Sequence, residues 1–121
     1  MKLTRFEDLQ CWQEATSLAV DIYKITSEGK IASDFGLRDQ IRRSAVSIAS
    51  NIAEGRERET PSEFIRFLYI AKGSAGELRT QIYIAKEIGY LSDEKYQELK
   101  EKIERLGGML GSLIKTLKKG K

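Results

Sequence analysis

Between residues 36 and 55 the apolar positions fall on one helical stripe. Leu37, Ile41, Ala45, Ile48 and Ile52 recur at intervals of three or four, the signature of a single buried helix face. A second row runs beside it: Gln40, Ser44, Ser47, Asn51 and Glu54. Small hydroxyls and amides beside a core stripe predict a helix gripped on more than one side. An unpartnered polar group buried there costs roughly 1–3 kcal/mol. This row is therefore expected to be hydrogen-bonded and to fix helix register. A third face carries Arg38, Arg42 and Arg56 among the small residues Ala45, Ala49 and Ala53.

The rest of the chain continues the helical pattern. Residues 6–27 predict a first helix with a stripe of Leu9, Trp12, Ala15, Ala19, Ile22 and Thr26, stopped at Gly29. Trp12 reads as a core anchor. Ser33 or Asp34 can cap the next helix by accepting from its free N–H groups. Thr60-Pro61-Ser62-Glu63 is a helix start: a cap, a proline where no N–H is needed, and a glutamate able to reach back. The third helix then buries Phe64, Leu68, Ala71, Ala75, Leu78, Ile82 and Ala85 and stops at Gly89. Ser92 caps a fourth, in which Tyr96, Leu99, Ile103, Leu106, Leu110, Leu113 and Leu117 alternate three and four throughout. No strand pattern competes and no internal repeat is read. Four long helices with short connections predict an all-α, antiparallel up-down-up-down four-helix bundle in a single domain.

The third helix has more apolar surface than one bundle core needs. Ile65, Tyr69, Gly76 and Tyr83 cluster roughly 120° from its core stripe, and Ile70, Ile84 and Ile88 lie further round. Extended apolar surface usually marks an interface, so Ile65, Tyr69, Ile70, Tyr83 and Ile84 are candidate oligomer contacts. Gly73 and Gly76 point the same way, since each costs about 1 kcal/mol against Ala inside a helix; close backbone approach is the expected compensation. Gly107, Gly108 and Gly111 are likewise expected to allow close packing.

Composition narrows the chemistry. The 121 residues contain no His and one Cys, Cys11. The commonest general base and metal ligand is thus missing, and an internal disulfide is impossible. No membrane span or signal peptide is read, so a cytoplasmic setting is expected. Net charge is +3, with the excess in the second quarter of the chain and at the C-terminal KTLKKGK. Arg38, Arg42, Arg43, Arg56, Arg58, Lys115, Lys118 and Lys119 are candidate contacts to a nucleic-acid backbone. The competing reading is that these side chains pair internally or bridge subunits.

Particular strings carry a resemblance. Trp12-Gln13 follows Phe6 and Asp8-Leu9. Gly36-Leu37 precedes Gln40-Ile41-Arg42-Arg43. Ser47-Ile48 precedes Ser50-Asn51-Ile52-Ala53-Glu54-Gly55, with Ala71, Gly73-Ser74 and Glu77-Leu78 downstream. Together, over about residues 5–117, these resemble the small four-helix-bundle proteins encoded in intervening sequences of bacterial 23S ribosomal RNA genes. Ala49 stands where many members have Pro, which implies a straighter second helix. The resemblance implies a ring-shaped homopentamer. It also implies kinship with the accessory variability determinant proteins of diversity-generating retroelements, basic pentamers that associate with a reverse transcriptase and nucleic acid. It supplies no defined biochemical function.

The leading expectation is a non-enzymatic homo-oligomer without cofactor or metal, binding RNA or DNA backbone through a repeated basic surface. The alternative is an interaction scaffold or accessory subunit for a polymerase-like protein, with no nucleic-acid contact. Catalysis is disfavoured. Ser44, Ser47 and Ser50 have no base to activate them, no phosphate loop is present, and Cys11 reads as inert. Only Glu54 and Glu77 offer a possible carboxylate pair.

Overall fold

The computed structural model describes residues 5–120, whose regular elements are all helical. The helices are α1 Gln10–Ile25, α2 Phe35–Glu57, α3 Pro61–Glu87 and α4 Asp93–Lys119. Consecutive helices are neighbours, α2 and α3 most extensively, and α1 meets α4 least. Cross-helix pairs fix their directions. Glu14 pairs with Arg105 and Asp21 with Lys102, so α1 and α4 run oppositely. Tyr69 with Lys118 and Tyr83 with Tyr96 do the same for α3 and α4. Ser47 with Ser74, and Gly55 with Phe67, do it for α2 and α3. The up-down-up-down four-helix bundle is the fold.

Local chemistry sets the helix ends. Asp34, rather than Ser33, caps α2, its Oδ1 accepting from the Leu37 N–H at 3.2 Å. Its Oδ2 accepts from the Tyr90 hydroxyl at 2.9 Å, which ties the α3–α4 connection to the start of α2. Thr60 caps α3 with Pro61 in the first position. The reciprocal half of the expected box is not made, because the Glu63 carboxylate turns to Arg66 at 3.2 Å and Arg58 at 3.9 Å. Ser92 caps α4. Gly89, at φ 88°, closes α3 with Tyr90 N–H donating to Ala85 O and Gly89 N–H to Lys86 O, the pattern that satisfies the last free carbonyls. The first helix is shorter than expected. Residues Phe6–Asp8 form a separate 3-10 turn, and α1 ends at Ile25 with Thr26 as its cap, before Gly29 is reached. Glu59, at φ 72°, takes the left-handed position in the α2–α3 turn without being glycine.

The core corrects several sequence readings. In α1 the buried row is Cys11, Ala15, Leu18 and Ile22; Trp12 and Ala19 are only half-buried. The helix sits between α2 and α4, so the row pointing at the bundle axis lies to one side of the row leaning on α2. Trp12 is therefore a wall residue, with its ring 5.5 Å from that of Phe6. Ile65 is buried in the core and is not an outer interface residue, because α3 packs against both α2 and α4. In α4 the stripe passes from Leu110 to Ile114, leaving Leu113 and Leu117 half-buried. A straight helix of 3.6 residues per turn drifts off a 3.5-residue repeat. The close helix approach is at Gly55, where an added Cβ would lie 2.6 Å from Phe67 Cβ. At Gly73, Gly76, Gly107, Gly108 and Gly111 such a Cβ would meet nothing within 4 Å, so the chain itself does not require those glycines.

Candidate functional site

The basic residues do not converge. Arg38 and Arg42 fasten the α1–α2 connection. Arg38 donates to Ala32 O at 3.1 Å and Asp39 Oδ1 at 2.9 Å, with its guanidinium over the Phe35 ring. Arg42 donates to Thr26 Oγ1 at 2.8 Å and Ser27 Oγ at 3.2 Å, and lies over Tyr23. Arg58 pairs with Glu54 at 3.0 Å and covers Phe67. Arg43, in contrast, is exposed and Arg56 half-exposed, and neither is in an ion pair among the described residues. Arg38 and Arg56 are separated along α2 by about 27 Å at 1.5 Å per residue. The Arg38, Arg42 and Arg43 group therefore occupies one end of the bundle. Arg56, Arg58, Lys115, Lys118 and Lys119 occupy the other. At that second end Glu54, Glu57, Glu59 and Glu63 offset the arginines, and the net positive element is the last turn of α4. There Lys115 and Lys119 are exposed, while Lys118 donates to Tyr69 Oη at 2.7 Å.

The polar row divides. Ser47 and Ser74 hydroxyls meet at 2.9 Å across the α2–α3 seam. Asn51 stays within its own helix, donating to Ser47 O at 2.8 Å and Ser47 Oγ at 3.0 Å. It orients Ser47 rather than reaching α3. Ser44 is buried. Gln40 and Glu54 are exposed and so are not buried register pins; the Glu54 carboxylate instead accepts from Arg58 on its own helix. Glu54 and Glu77 do not form a carboxylate pair. Measured from the Ser47–Ser74 level they diverge by ten residues of helix, about 15 Å.

Titratable groups are perturbed by local contacts. The Arg66 hydrogen bond holds Glu63 below the usual carboxylate range. Asp21 raises Lys102, and burial raises the Cys11 thiol. Among the described residues no cluster of carboxylates and thiols is arranged to hold a metal ion, and no helix is long and apolar enough to cross a membrane.

What the bundle leaves uncovered is apolar. Tyr69, Ile70, Tyr83, Ile84 and Ile88 are exposed along α3. On a different side, Val20, Tyr23 and Val46 are exposed around a groove of about 570 Å³ between α1 and α2. Its floor is made of Ala19, Ala49 and Ala53, and Trp12 and Tyr23 form part of its walls. The model of the family described as 23S rRNA-intervening sequence protein matches residues 7–112. The chain belongs to this family. The fold of this intervening sequence protein is also similar to the crystal structure of a protein of unknown function from the S23 ribosomal protein family of Bacteroides thetaiotaomicron. The TM-score is 0.81 at 25% identity, over 87% of this chain and 95% of that one. No curated protein matches the chain.

Two features of this family member escape the sequence reading. The groove is one. Its signal is the second apolar row of α1, Trp12, Thr16, Ala19, Val20 and Tyr23, masked by reading Trp12 and Ala19 as core. The other is an internal repeat. Tyr69-Ile70-Ala71-Lys72 recurs as Tyr83-Ile84-Ala85-Lys86, and fourteen residues return nearly to the same helix face.

Proposed function

We propose that this protein works as a non-enzymatic, self-assembling bundle, a homopentamer as its resemblance implies, whose assembled form presents repeated basic edges to an RNA or DNA backbone. One observation carries the assembly: large apolar side chains stand exposed on both the α1–α2 groove and the outer face of α3. Apolar surface of this extent normally finds a partner. The nucleic-acid part draws on symmetry. In a ring of side-by-side bundles every α4 C-terminal turn lies on one rim, so Lys115, Lys118 and Lys119 recur around it. Contacts after the first are then intramolecular and strengthen a weak individual patch. Such binding is backbone-directed and steeply salt-dependent.

The internal pairing of Arg38, Arg42 and Arg58 favours a second reading: a scaffold for a polymerase-like protein, without nucleic-acid contact. Either role suits a reducing cytoplasm, where Cys11 stays a thiol. Light scattering on the native protein tests the assembly, with a multi-chain mass expected and a single-chain mass refuting it. Filter retention of labelled RNA across a salt series separates the two roles. Retention at low salt that collapses by moderate salt supports backbone binding, and none at any salt leaves the scaffold.

A further inference from the structure

We propose that the α1–α2 groove is the receptor for the outer face of α3 of a second copy of this chain, in a head-to-tail contact. This rests on the self-assembly reading and says which surfaces meet. The two faces differ in shape and in charge. The groove is concave, with a floor of small residues and Lys24 in its lining; the pocket that adjoins it at Tyr23 and Val46 carries Arg43, beside an Asp39 already paired with Arg38. The α3 face is a convex row in which Ile70, Gly73, Glu77, Ile84 and Ile88 recur at three, four or seven; Arg66, one turn before Ile70, is already paired with Glu63. Among the described residues neither Lys24, Arg43 nor Glu77 has an ion-pair partner. Docking the row into the groove brings opposite charges together.

The self-paired alternatives do the reverse. An antiparallel pairing of two α3 helices about the centre of the Tyr69-Ile70 and Tyr83-Ile84 repeat sets Glu77 against Glu77. Two grooves facing each other leave a void and oppose like charges. Gly73, which lies within the row, then acquires a reason, since the empty space where its Cβ atom would be lets the walls of the neighbour's groove approach the α3 backbone. The contact is heterologous. Because α3 stands beside α2 and diagonally from α1, the two faces are not back to back, and successive copies turn round toward a closed ring.

Complementation tests this. Val46→Asp spoils the groove and leaves the α3 row intact; Ile84→Asp does the opposite. Both sites are exposed, at 41% and 44%, so both variants are expected to keep the helical circular dichroism of the native chain. Each alone is expected to be a single chain by light scattering, and their equimolar mixture a 1:1 dimer closed by one good row in one good groove. If either variant loses helical signal, Ala53→Glu replaces the first and Ile70→Glu the second. An Ile84→Asp variant that dissociates while Val46→Asp stays assembled overturns the proposal in favour of α3 self-pairing. Two variants that both stay assembled, or two single chains that ignore each other on mixing, overturn it as well. All three results leave self-assembly standing, whereas a single-chain mass for the native protein removes self-assembly itself. As a second measurement, Arg43→Glu and Glu77→Arg are each expected to weaken assembly and, combined in one chain, to restore it.

Discussion

Gly55 shows how one missing methyl can decide a helix seam. A Cβ there would sit 2.6 Å from Phe67 Cβ and 3.2 Å from the Phe64 ring. The first contact is with an atom fixed by the α3 backbone, so relief requires α2 and α3 to separate. Overpacking of this kind costs about 1–3 kcal/mol and outweighs the roughly 1 kcal/mol that alanine gains in helix propensity. Gly55→Ala is therefore expected to destabilise the chain by up to about 2 kcal/mol, read as a lower urea midpoint at unchanged slope. Cys11 is a simpler case. Buried between α1 and its neighbours, with its thiol held above the usual range by desolvation, it is expected to ignore a thiol reagent near neutral pH until the bundle is unfolded. Rapid labelling of the native protein would contradict that. Nothing in the sequence beyond its single occurrence marked Cys11 as buried, and its expected inertness rests on that burial. Gly55 was not legible as a contact, because spacing gives a residue's face but not which neighbour crosses there.

At the scale of the element, periodicity recovered the four helices and most of their caps, since Thr60-Pro61, Ser92 and Asp34 act through their own backbone neighbours. It failed where a helix carries more than one apolar row. Every helix touches two others, but α1 and α3 have apolar side chains beyond the row on the axis, so the row that looks most apolar need not be the buried one; hence Trp12 at a groove wall and Ile65 in the core. The α2–α3 turn offers a test of local strain. Glu59 holds a left-handed conformation that costs a non-glycine residue roughly 1 kcal/mol. Glu59→Gly is expected to raise stability by up to about that amount; a loss would mean that the glutamate contributes a contact worth more than the strain. Gly73 in α3 gives the opposite pairing of effects. With open space around its Cβ position, Gly73→Ala is expected to stabilise the isolated chain by about 1 kcal/mol. If the outer face of α3 is an interface, the same substitution weakens assembly. Unfolding at low concentration and mass at high concentration measure the two separately.

At the scale of the molecule, the sequence argued from two kinds of surplus, basic and apolar, and only the apolar one forms continuous faces. Arginines spaced along α2 look like one stripe on a wheel, but a 23-residue helix carries them to opposite ends, and the loops and carboxylates that claim them come from other elements. The separation follows from residue spacing and the helical rise; which loops and carboxylates claim each arginine does not. The apolar surplus implies a thermodynamic signature that does not depend on knowing the ligand. If copies associate through folded faces, assembly binds the native state and not the unfolded one, so stability must rise with protein concentration. The midpoint of thermal unfolding is expected to climb as the protein is taken from roughly 1 to 100 µM, and Val46→Asp, which places a carboxylate in the groove, is expected to flatten the climb. A native midpoint that stays constant over that range would mean that the exposed tyrosines and isoleucines are tolerated by a solitary bundle, and the reasoning from surplus surface to assembly would fail at its first step.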